Sequence, residues 1–178
     1  MIDIRSERFR LRELRVADAT DRYLGWLRDG ATARHIVAAA DTADLDRLRS
    51  YLRERVGRAD VLFLGIFDGV TGLHIGNIKY EPLDSTLGYA IMGILIGDTA
   101  YHGKGVAGEV LAASARWLQA NRGINEIVLG VSPDNVAAIR AYEKTGFVVA
   151  SSRHLPKPAG GAITMCWTLP KEPRAANH

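Results

Sequence analysis

Residues 94–109 read ILIGDTAYHGKGVAGE and predict a buried strand, a short loop and a glycine-rich turn that opens a helix. Gly103 and Gly105 allow the backbone to tighten directly before that helix. The unpaired N–H groups and the positive dipole end of the helix would then face outward, with Lys104 adding a charge. The turn is therefore predicted to hold a phosphate or pyrophosphate group.

A second informative segment, residues 132–147, reads SPDNVAAIRAYEKTGF and predicts another helix. Ser132 or Asp134 is its predicted cap, and Gly146 is its predicted end before the next strand. Positions i, i+4 and i+7 lie on one face of a helix. On this helix those positions carry Asn135, Ile139 and Tyr142.

Three classes of protein use a glycine-rich turn of this kind. The spacing Gly103-x-Gly105-x-x-Gly108 matches a dinucleotide-binding fold, but that motif normally stands near the start of repeated βαβ units, whereas here it falls past the middle of the chain. A P-loop would end in Lys-Ser or Lys-Thr, and this turn does not. The segment HGKGVA, His102–Ala107, resembles the [Gln/Arg]-x-x-Gly-x-[Gly/Ala] signature of the GCN5-related N-acetyltransferases (GNAT), in which the turn holds the pyrophosphate of acetyl-CoA.

The second segment resembles the same family. Asn135–Phe147 looks like its second conserved block, in which the Asn contacts the pantetheine arm and the Tyr lies beside the sulfur. Without the resemblance, Asn135 suits a helix end and Tyr142 a packed core. His102 departs from the usual Gln or Arg and suits either a cap on the cofactor or a surface position. The resemblance implies acetyl-CoA as cosubstrate, with contacts from Ile94, Leu95, Ile96, His102, Gly103, Lys104, Gly105, Val106, Ala107, Gly108, Asn135 and Tyr142.

The resemblance also implies a mechanism. In this family the strand before the turn splays away from its neighbour, so that backbone groups near residues 93–96 would pair with pantetheine and polarise the thioester carbonyl. The phenol of Tyr142, with an ordinary pKa of about 10, is protonated at neutral pH and can donate to the departing sulfur. The acetyl group would pass directly to a primary amine, without an acyl-enzyme.

The sequence departs from the family at the position of the general base. Many relatives carry Ala-Glu-Ile-Gly before the splayed strand, whereas residues 90–93 here read AIMG, which puts Ile91 at the position of the Glu. Asp84 and Tyr89 are nearby alternatives, but Glu81 and His74 are retained as the candidate catalytic residues. Each of these also suits a solvated loop or strand edge. A chain of water molecules without a dedicated base, or a catalytically silent CoA-binding domain, stays an alternative.

The order of predicted elements is typical of the same fold. Strands are predicted at residues 8–14, 61–67, 75–80, 88–96, 127–131, 147–151 and 162–169, and helices at 16–29, at 41–55, after the glycine turn and from Asn135. The resemblance implies an α+β fold with a mixed, mostly antiparallel sheet of about six or seven strands, splayed at the cofactor site and flanked by about four helices. Residues 1–170 would form one domain and residues 171–178 a flexible tail.

Composition limits the functional classes. A chain of 178 residues with 47% hydrophobic and 24% charged residues is typical of one globular domain, and a net charge of +3 is too small to indicate nucleic-acid binding. No apolar run approaches the ~20 residues that span a bilayer, and the first residues lack the apolar core of a signal peptide. The single Cys166 excludes an intramolecular disulfide, and no cluster has metal-ligand spacing. We therefore expect a cytoplasmic protein without a metal, a membrane or a nucleic-acid partner.

The acceptor amine is the least determined feature. The branch resembled most closely contains ribosomal-protein N-terminal, polyamine and amino-sugar acetyltransferases. Residues 16–56 are expected to form one wall of the acceptor cleft, with residues 30–40 as a flexible rim. The rim is neutral apart from Arg34 and His35. A polyamine would require clustered carboxylates, whereas Arg153 and the loop LPKPAGG at residues 155–161 are basic. We therefore favour an amino sugar, nucleotide-linked sugars included, or a peptide N-terminus, and leave a homodimer open.

Overall fold

The computed structural model describes residues 2–30 and 44–170. Within them, eight strands form one sheet in the order β1-β2-β3-β4-β5-β6-β8-β7. The strands are β1 Asp3–Arg5, β2 Phe9–Glu13, β3 Leu62–Asp68, β4 His74–Asp84, β5 Tyr89–Ile96, β6 Glu126–Val131, β7 Val148–Val149 and β8 Ile163–Thr168. The α-helices in this part of the chain are α1 Asp21–Arg28, α2 Leu45–Arg53, α3 Val106–Arg122 and α4 Val136–Thr145.

The sheet is mixed and mostly antiparallel, which confirms the predicted fold class. Its parallel pair is β5 with β6, and the chain reaches β6 from β5 through α3. The sheet has one strand more than the upper limit of the prediction because β1 was missed. β1 has only three residues, of which Ile4 alone is buried, and so short a segment has no readable alternation.

Helices cover both faces of the sheet, each over its own hydrophobic core. On one face, α3 buries Val106, Val110, Leu111 and Leu118 against the sheet, and α4 packs beside it. On the other face, α1 and α2 bury Tyr23, Leu24, Trp26, Leu27, Leu48 and Leu52. This second core ends at Leu95 of β5. Beyond Leu95 the same face is covered by the loop between β7 and β8, since a Cβ on Gly130 of β6 would touch Pro158, Leu155 and Ala162.

Several predicted boundaries were wrong for local reasons. The helix predicted at 16–29 is divided, because Thr20 caps a new helix by accepting from the N–H of Tyr23. The strand predicted at 147–151 is ordered as a strand only over its two central valines. Asp44 caps α2 by accepting from the N–H of Arg47, so the described part of that helix begins at Leu45.

Part of the prediction falls outside the described residues. This applies to residues 31–40 of the expected rim, including Arg34 and His35, to the predicted start of the second helix at Asp41, and to the expected tail at 171–178. In the parts that are described, no helix has the length and apolar character needed to cross a membrane.

The close approach of β4 and β5 generates a stability prediction. A Cβ on Gly76 would overlap the carbonyl oxygen of Leu95, which belongs to the sheet backbone and cannot rotate away. We expect Gly76→Ala to lower the free energy of unfolding by about 2–3 kcal/mol in urea denaturation. Gly93→Ala on the neighbouring strand is the matched control, because a Cβ there meets nothing within 4 Å. Equal stability of the two variants would contradict the packing described.

Candidate active site

β5 and β6 diverge after three paired residues. The pairs are Tyr89 with Glu126, Ala90 with Ile127 and Ile91 with Val128. Beyond them β5 continues paired with β4 only, and β6 with β8 only. The sheet therefore contains a wedge-shaped gap, which opens at Ile91 and Val128 and widens toward the end of β5, as the resemblance implied.

The register of β5 decides which backbone groups face this gap. The N–H of Gly97 donates to the carbonyl of Ile75 on β4, and alternate residues of an antiparallel strand bond to the same neighbour. The N–H and C=O groups of Ile94 and Ile96 therefore point away from β4 and into the gap. Leu95 does not join them, because its backbone faces β4 and its side chain is buried under α1 and α2.

The glycine turn lies at the wide end of the gap. Gly103 and Gly105 have φ angles of 71° and 73°, a left-handed conformation that only glycine adopts at little cost. Gly105 is the N-terminal cap of α3 and no side chain caps the helix in its place. The first N–H groups of α3, from Val106 onward, thus have no intrahelical acceptor and suit an anion. Gly108 faces another neighbour, since a Cβ there would lie 3.6 Å from Oγ1 of Thr145 on α4.

The ion pair of Arg8 with Glu109, which sequence reasoning missed, connects the glycine turn to the N-terminal strands. The carboxylate of Glu109, in the first turn of α3, accepts from the hydroxyl of Ser6, the N–H of Arg8 and Nε of Arg8, each at 2.7 Å. The guanidinium of Arg8 also donates to the carbonyl of Lys104 at 3.0 Å. Partial burial would raise the pKa of Glu109, but these bonds outweigh it and lower that pKa. The β1–β2 hairpin is thereby fastened to the turn.

His102 connects the turn to the end of β5. Its Nε2 lies 2.6 Å from the carbonyl oxygen of Ile96 and must carry the proton, because a carbonyl only accepts. The ring is exposed, as the surface reading of the sequence expected, and it is also bonded to the backbone of β5. This bond links the open edge of β5 to the glycine turn.

α4 carries the two polar residues of the second motif. Asn135 is the cap of the helix, since its Oδ1 accepts from the N–H of Ala138 at 3.3 Å, so the predicted caps Ser132 and Asp134 were wrong. Capping leaves the Nδ2 group of Asn135 for another partner. Tyr142 packs against the core beside Phe147, with ring centroids 5.7 Å apart. Burial raises the pKa of Tyr142 to about 12, which keeps its phenol protonated.

Glu81 on β4 lies near the narrow end of the gap but is heavily paired. The irregular stretch of β4 between Tyr80 and Leu83 places it opposite Ile91. Its Oε2 accepts from Nζ of Lys79 at 2.8 Å and from Nε of Arg55 at 3.0 Å. Partial burial alone would raise the pKa of Glu81, but these bonds outweigh it and hold that pKa below its usual value. Such a carboxylate is a weak proton acceptor.

The structure separates His74 from Glu81. The two residues are seven positions apart on β4, roughly 20 Å in an extended strand. The ring of His74 stacks on Phe67 at 4.7 Å, and its Nε2 lies 2.8 Å from Oδ1 of Asn77. Burial lowers the pKa of His74 from its ordinary value. Asp84 also has a local role, because its Oδ1 accepts from the backbone of the turn that follows.

One histidine near the gap was missed by sequence reasoning. His154, on the loop between β7 and β8, stacks on Tyr89 with ring centroids 3.6 Å apart and planes 13° apart. Its Nε2 is 3.8 Å from Oε2 of Glu126, the strand partner of Tyr89. Tyr89 and His154 are distant in the chain, and no local pattern could have joined them.

Comparison with known proteins identifies the family. Residues 8–148 match the sequence profile described as the acetyltransferase (GNAT) domain. Because the match spans most of the chain, this protein belongs to the GNAT acetyltransferase domain family. The mycothiol acetyltransferase of Corynebacterium efficiens is 31% identical over 131 residues, which are 73% of this chain and 42% of that relative. The match therefore spans less than half the length of that protein.

Solved structures show the same fold at low identity. The ribosomal L7/L12 alpha-N-protein acetyltransferase RimL, in complex with coenzyme A, superposes with a TM-score of 0.81 at 13% identity, over 94% of this chain and 98% of that one. AAC(6')-Ib in complex with paromomycin and acetyl-CoA gives a TM-score of 0.74 at 22% identity, over 91% of this chain and 94% of that one.

The cap of α4 generates a prediction about Asn135. Asn135→Ala removes the acceptor for the N–H of Ala138 and should lower the free energy of unfolding by about 1 kcal/mol. Asn135→Ser keeps a capping oxygen and should retain most of the stability, as measured by urea denaturation. The same loss in both variants would show that capping is not what Asn135 contributes.

Proposed function

We propose that this protein is an acetyl-CoA-dependent N-acetyltransferase that transfers the acetyl group to a primary amine by direct attack. The observation that carries the proposal is the continuity of two binding surfaces. The open backbone edge at Ile94 and Ile96 leads directly to the uncapped turn at Gly103–Gly105, and His102 joins the two. An elongated ligand with a hydrogen-bonding arm and a pyrophosphate fits such a surface along its length.

The cofactor would bind as an extra strand. The amide groups of its pantetheine arm would pair with Ile94 and Ile96, and its pyrophosphate would lie on the N–H groups at the start of α3. The Nδ2 group of Asn135 would contact the arm from the opposite side of the gap. The coenzyme A bound to RimL and the acetyl-CoA bound to AAC(6')-Ib, two proteins of this fold, support that choice of cofactor.

The chemistry would use backbone on β5 and a phenol on α4. A β5 N–H group facing the gap would polarise the thioester carbonyl, and the attacking nitrogen would form the C–N bond as the C–S bond breaks. Tyr142 would donate a proton to the departing sulfur. Its pKa of about 12 keeps the phenol protonated, and the proton lost from the attacking nitrogen would replace the one that it donates.

The acceptor would enter on the face that carries α1 and α2. One wall of this cleft is formed by these helices and the other by the loop between β7 and β8. Several carboxylates at or near α2 already have partners. Glu81 pairs with Lys79 and Arg55, Asp44 caps the helix, Asp46 pairs with Arg49, and Glu54 contacts Arg55. A polyamine would find no free carboxylate cluster among these residues. We therefore favour an amino sugar or a peptide N-terminus.

A catalytically silent CoA-binding domain is the second candidate, and Ile91 favours it. This isoleucine stands where many relatives carry a catalytic Glu and cannot accept a proton. The two candidates share cofactor binding and differ only in transfer. We propose the cytoplasm as the compartment, because the chain has one cysteine and its proposed cosubstrate is an intracellular thioester.

Calorimetry and an amine panel test the proposed function. In calorimetry we expect acetyl-CoA and CoA to bind and NAD not to bind. In the activity assay we expect free thiol to appear with at least one amine of the panel. The panel contains amino sugars, a nucleotide-linked amino sugar, a peptide, spermidine and the acceptor of mycothiol acetyltransferases. Gly105→Asp should abolish binding, since it places a carboxylate at the cofactor pyrophosphate. Gly57→Asp, in the turn that follows α2, is the matched control, because Gly57 also has a positive φ of 82° and a Cβ there meets nothing within 4 Å. Preference for NAD would refute the proposal, and CoA binding without transfer would select the silent domain.

Tyr142→Phe tests the proton donor. The variant keeps the ring against Phe147 and removes only the hydroxyl, so turnover should fall by about 10²-fold while the affinity for acetyl-CoA is unchanged. The measurement is kcat together with calorimetric affinity. A parallel loss of affinity and turnover would instead assign the hydroxyl to cofactor binding.

A further inference from the structure

The loop between β7 and β8 brings a histidine to the narrow end of the gap. Side chains alternate along β5, and Ala90 and Met92 belong to the core under α3. Tyr89 and Ile91 therefore face the acceptor side, as does Glu126 on β6, whose neighbour Ile127 is in that same core. His154 stacks on Tyr89 and so lies over this face. Tyr89 and Ile91 are two residues apart on β5, a separation of about 7 Å along the strand.

The surroundings of His154 fix its ring and place a carboxylate beside Nε2. Its side chain is 8% exposed, and its ring orientation is fixed by the stack on Tyr89. Nε2 lies 3.8 Å from the carboxylate of Glu126, which would stabilise the protonated ring. Nε of Arg153 donates to the same Nε2 at 3.4 Å. Nε2 is thus an acceptor in the free protein, and a substrate ammonium N–H would take the place of this exposed arginine.

The other candidates fit this role less well. Glu81 has a lowered pKa because Lys79 and Arg55 bond to it, and His74 is enclosed by aromatic rings roughly 20 Å away along β4. Ile91 has no titratable group. We propose that His154, oriented by Tyr89 and Glu126, accepts the proton of the acceptor amine in place of the missing glutamate. This inference rests on the proposed N-acetyltransferase function.

The proton balance of the step is complete with residues already described. The ammonium of the acceptor gives one proton to Nε2 of His154, which later passes it to water. The neutral amine attacks, the C–N bond forms and the C–S bond breaks. Tyr142 gives its proton to the sulfur, and the second proton lost from nitrogen replaces it on the phenol. The products are the acetamide, free CoA thiol and one proton in solution.

The groups that face His154 come from each neighbouring element. Glu126 on β6 and Arg153 on the same loop lie beside Nε2, and the ring of Tyr89 on β5 stacks on the imidazole. Burial raises the pKa of the Cys166 thiol on β8.

Chemical rescue separates a base from a structural residue. His154→Ala should lower kcat/KM by about 10²–10³-fold, measured with acetyl-CoA and the panel amine that the wild type acetylates fastest. Imidazole added to this variant should restore part of the activity, whereas pyrazole, of the same shape but far less basic, should not. Affinity for acetyl-CoA should match the wild type. Retained activity, or equal rescue by imidazole and pyrazole, would overturn the proposal.

Removal of the neighbouring carboxylate supplies an independent test. Glu126→Gln keeps the shape of the side chain but removes the charge beside Nε2, so kcat/KM should fall by about 10-fold. Glu81→Gln is the comparison variant, and a larger loss in this variant than in Glu126→Gln would assign the base to Glu81 instead. If His154→Ala loses activity without rescue and Glu126→Gln keeps the wild-type kcat/KM, His154 is structural. If the wild type acetylates no amine, the proposed function itself fails and the role of His154 fails with it.

Discussion

The divergence of β5 and β6 is the constraint on which the rest of the site depends. Three residue pairs, ending at Ile91 and Val128, join the two halves of an eight-stranded sheet. Beyond them, β5 remains paired with β4 and β6 remains paired with β8. Helix α3 packs against one face of the sheet and covers the core there. An unpaired strand edge is costly inside a sheet, because its N–H and C=O groups lack partners. A ligand that supplies those partners is bound by the backbone itself.

Two side-chain contacts fix the glycine turn relative to this edge. His102 bonds to the last carbonyl of β5, and the pair of Arg8 with Glu109 holds the turn from the N-terminal hairpin. Both contacts hold residues next to Gly103 and Gly105, whose backbone has more conformational freedom than that of other residues. The turn at Gly105 can therefore have a left-handed conformation and still keep a defined distance from Ile96. Rigid supports of this kind reduce the ordering cost of binding.

The sequence predicted what is contiguous in the chain and missed what is distant. The glycine turn, the helix with Tyr142 and the predominantly antiparallel sheet follow from local spacing and from the family resemblance. The cap of α4 was misassigned because Ser132, Asp134 and Asn135 are equally good caps, and only the backbone geometry chooses Asn135. The loop over β6 that carries His154, and the pair of Arg8 with Glu109, could not be predicted. They depend on contacts that form only after the sheet has assembled.

Amide hydrogen exchange, resolved by residue, tests the open edge of β5 most directly. In the free protein, the N–H of Ile94 faces the gap and should exchange rapidly, whereas the N–H of Leu95 is bonded to β4 and should be protected. Acetyl-CoA should slow the exchange of Ile94 and Ile96 strongly while that of Leu95 changes little. Protection of Ile94 before acetyl-CoA is added, or unchanged exchange at Ile94 and Ile96 after the cofactor has bound, would contradict the account.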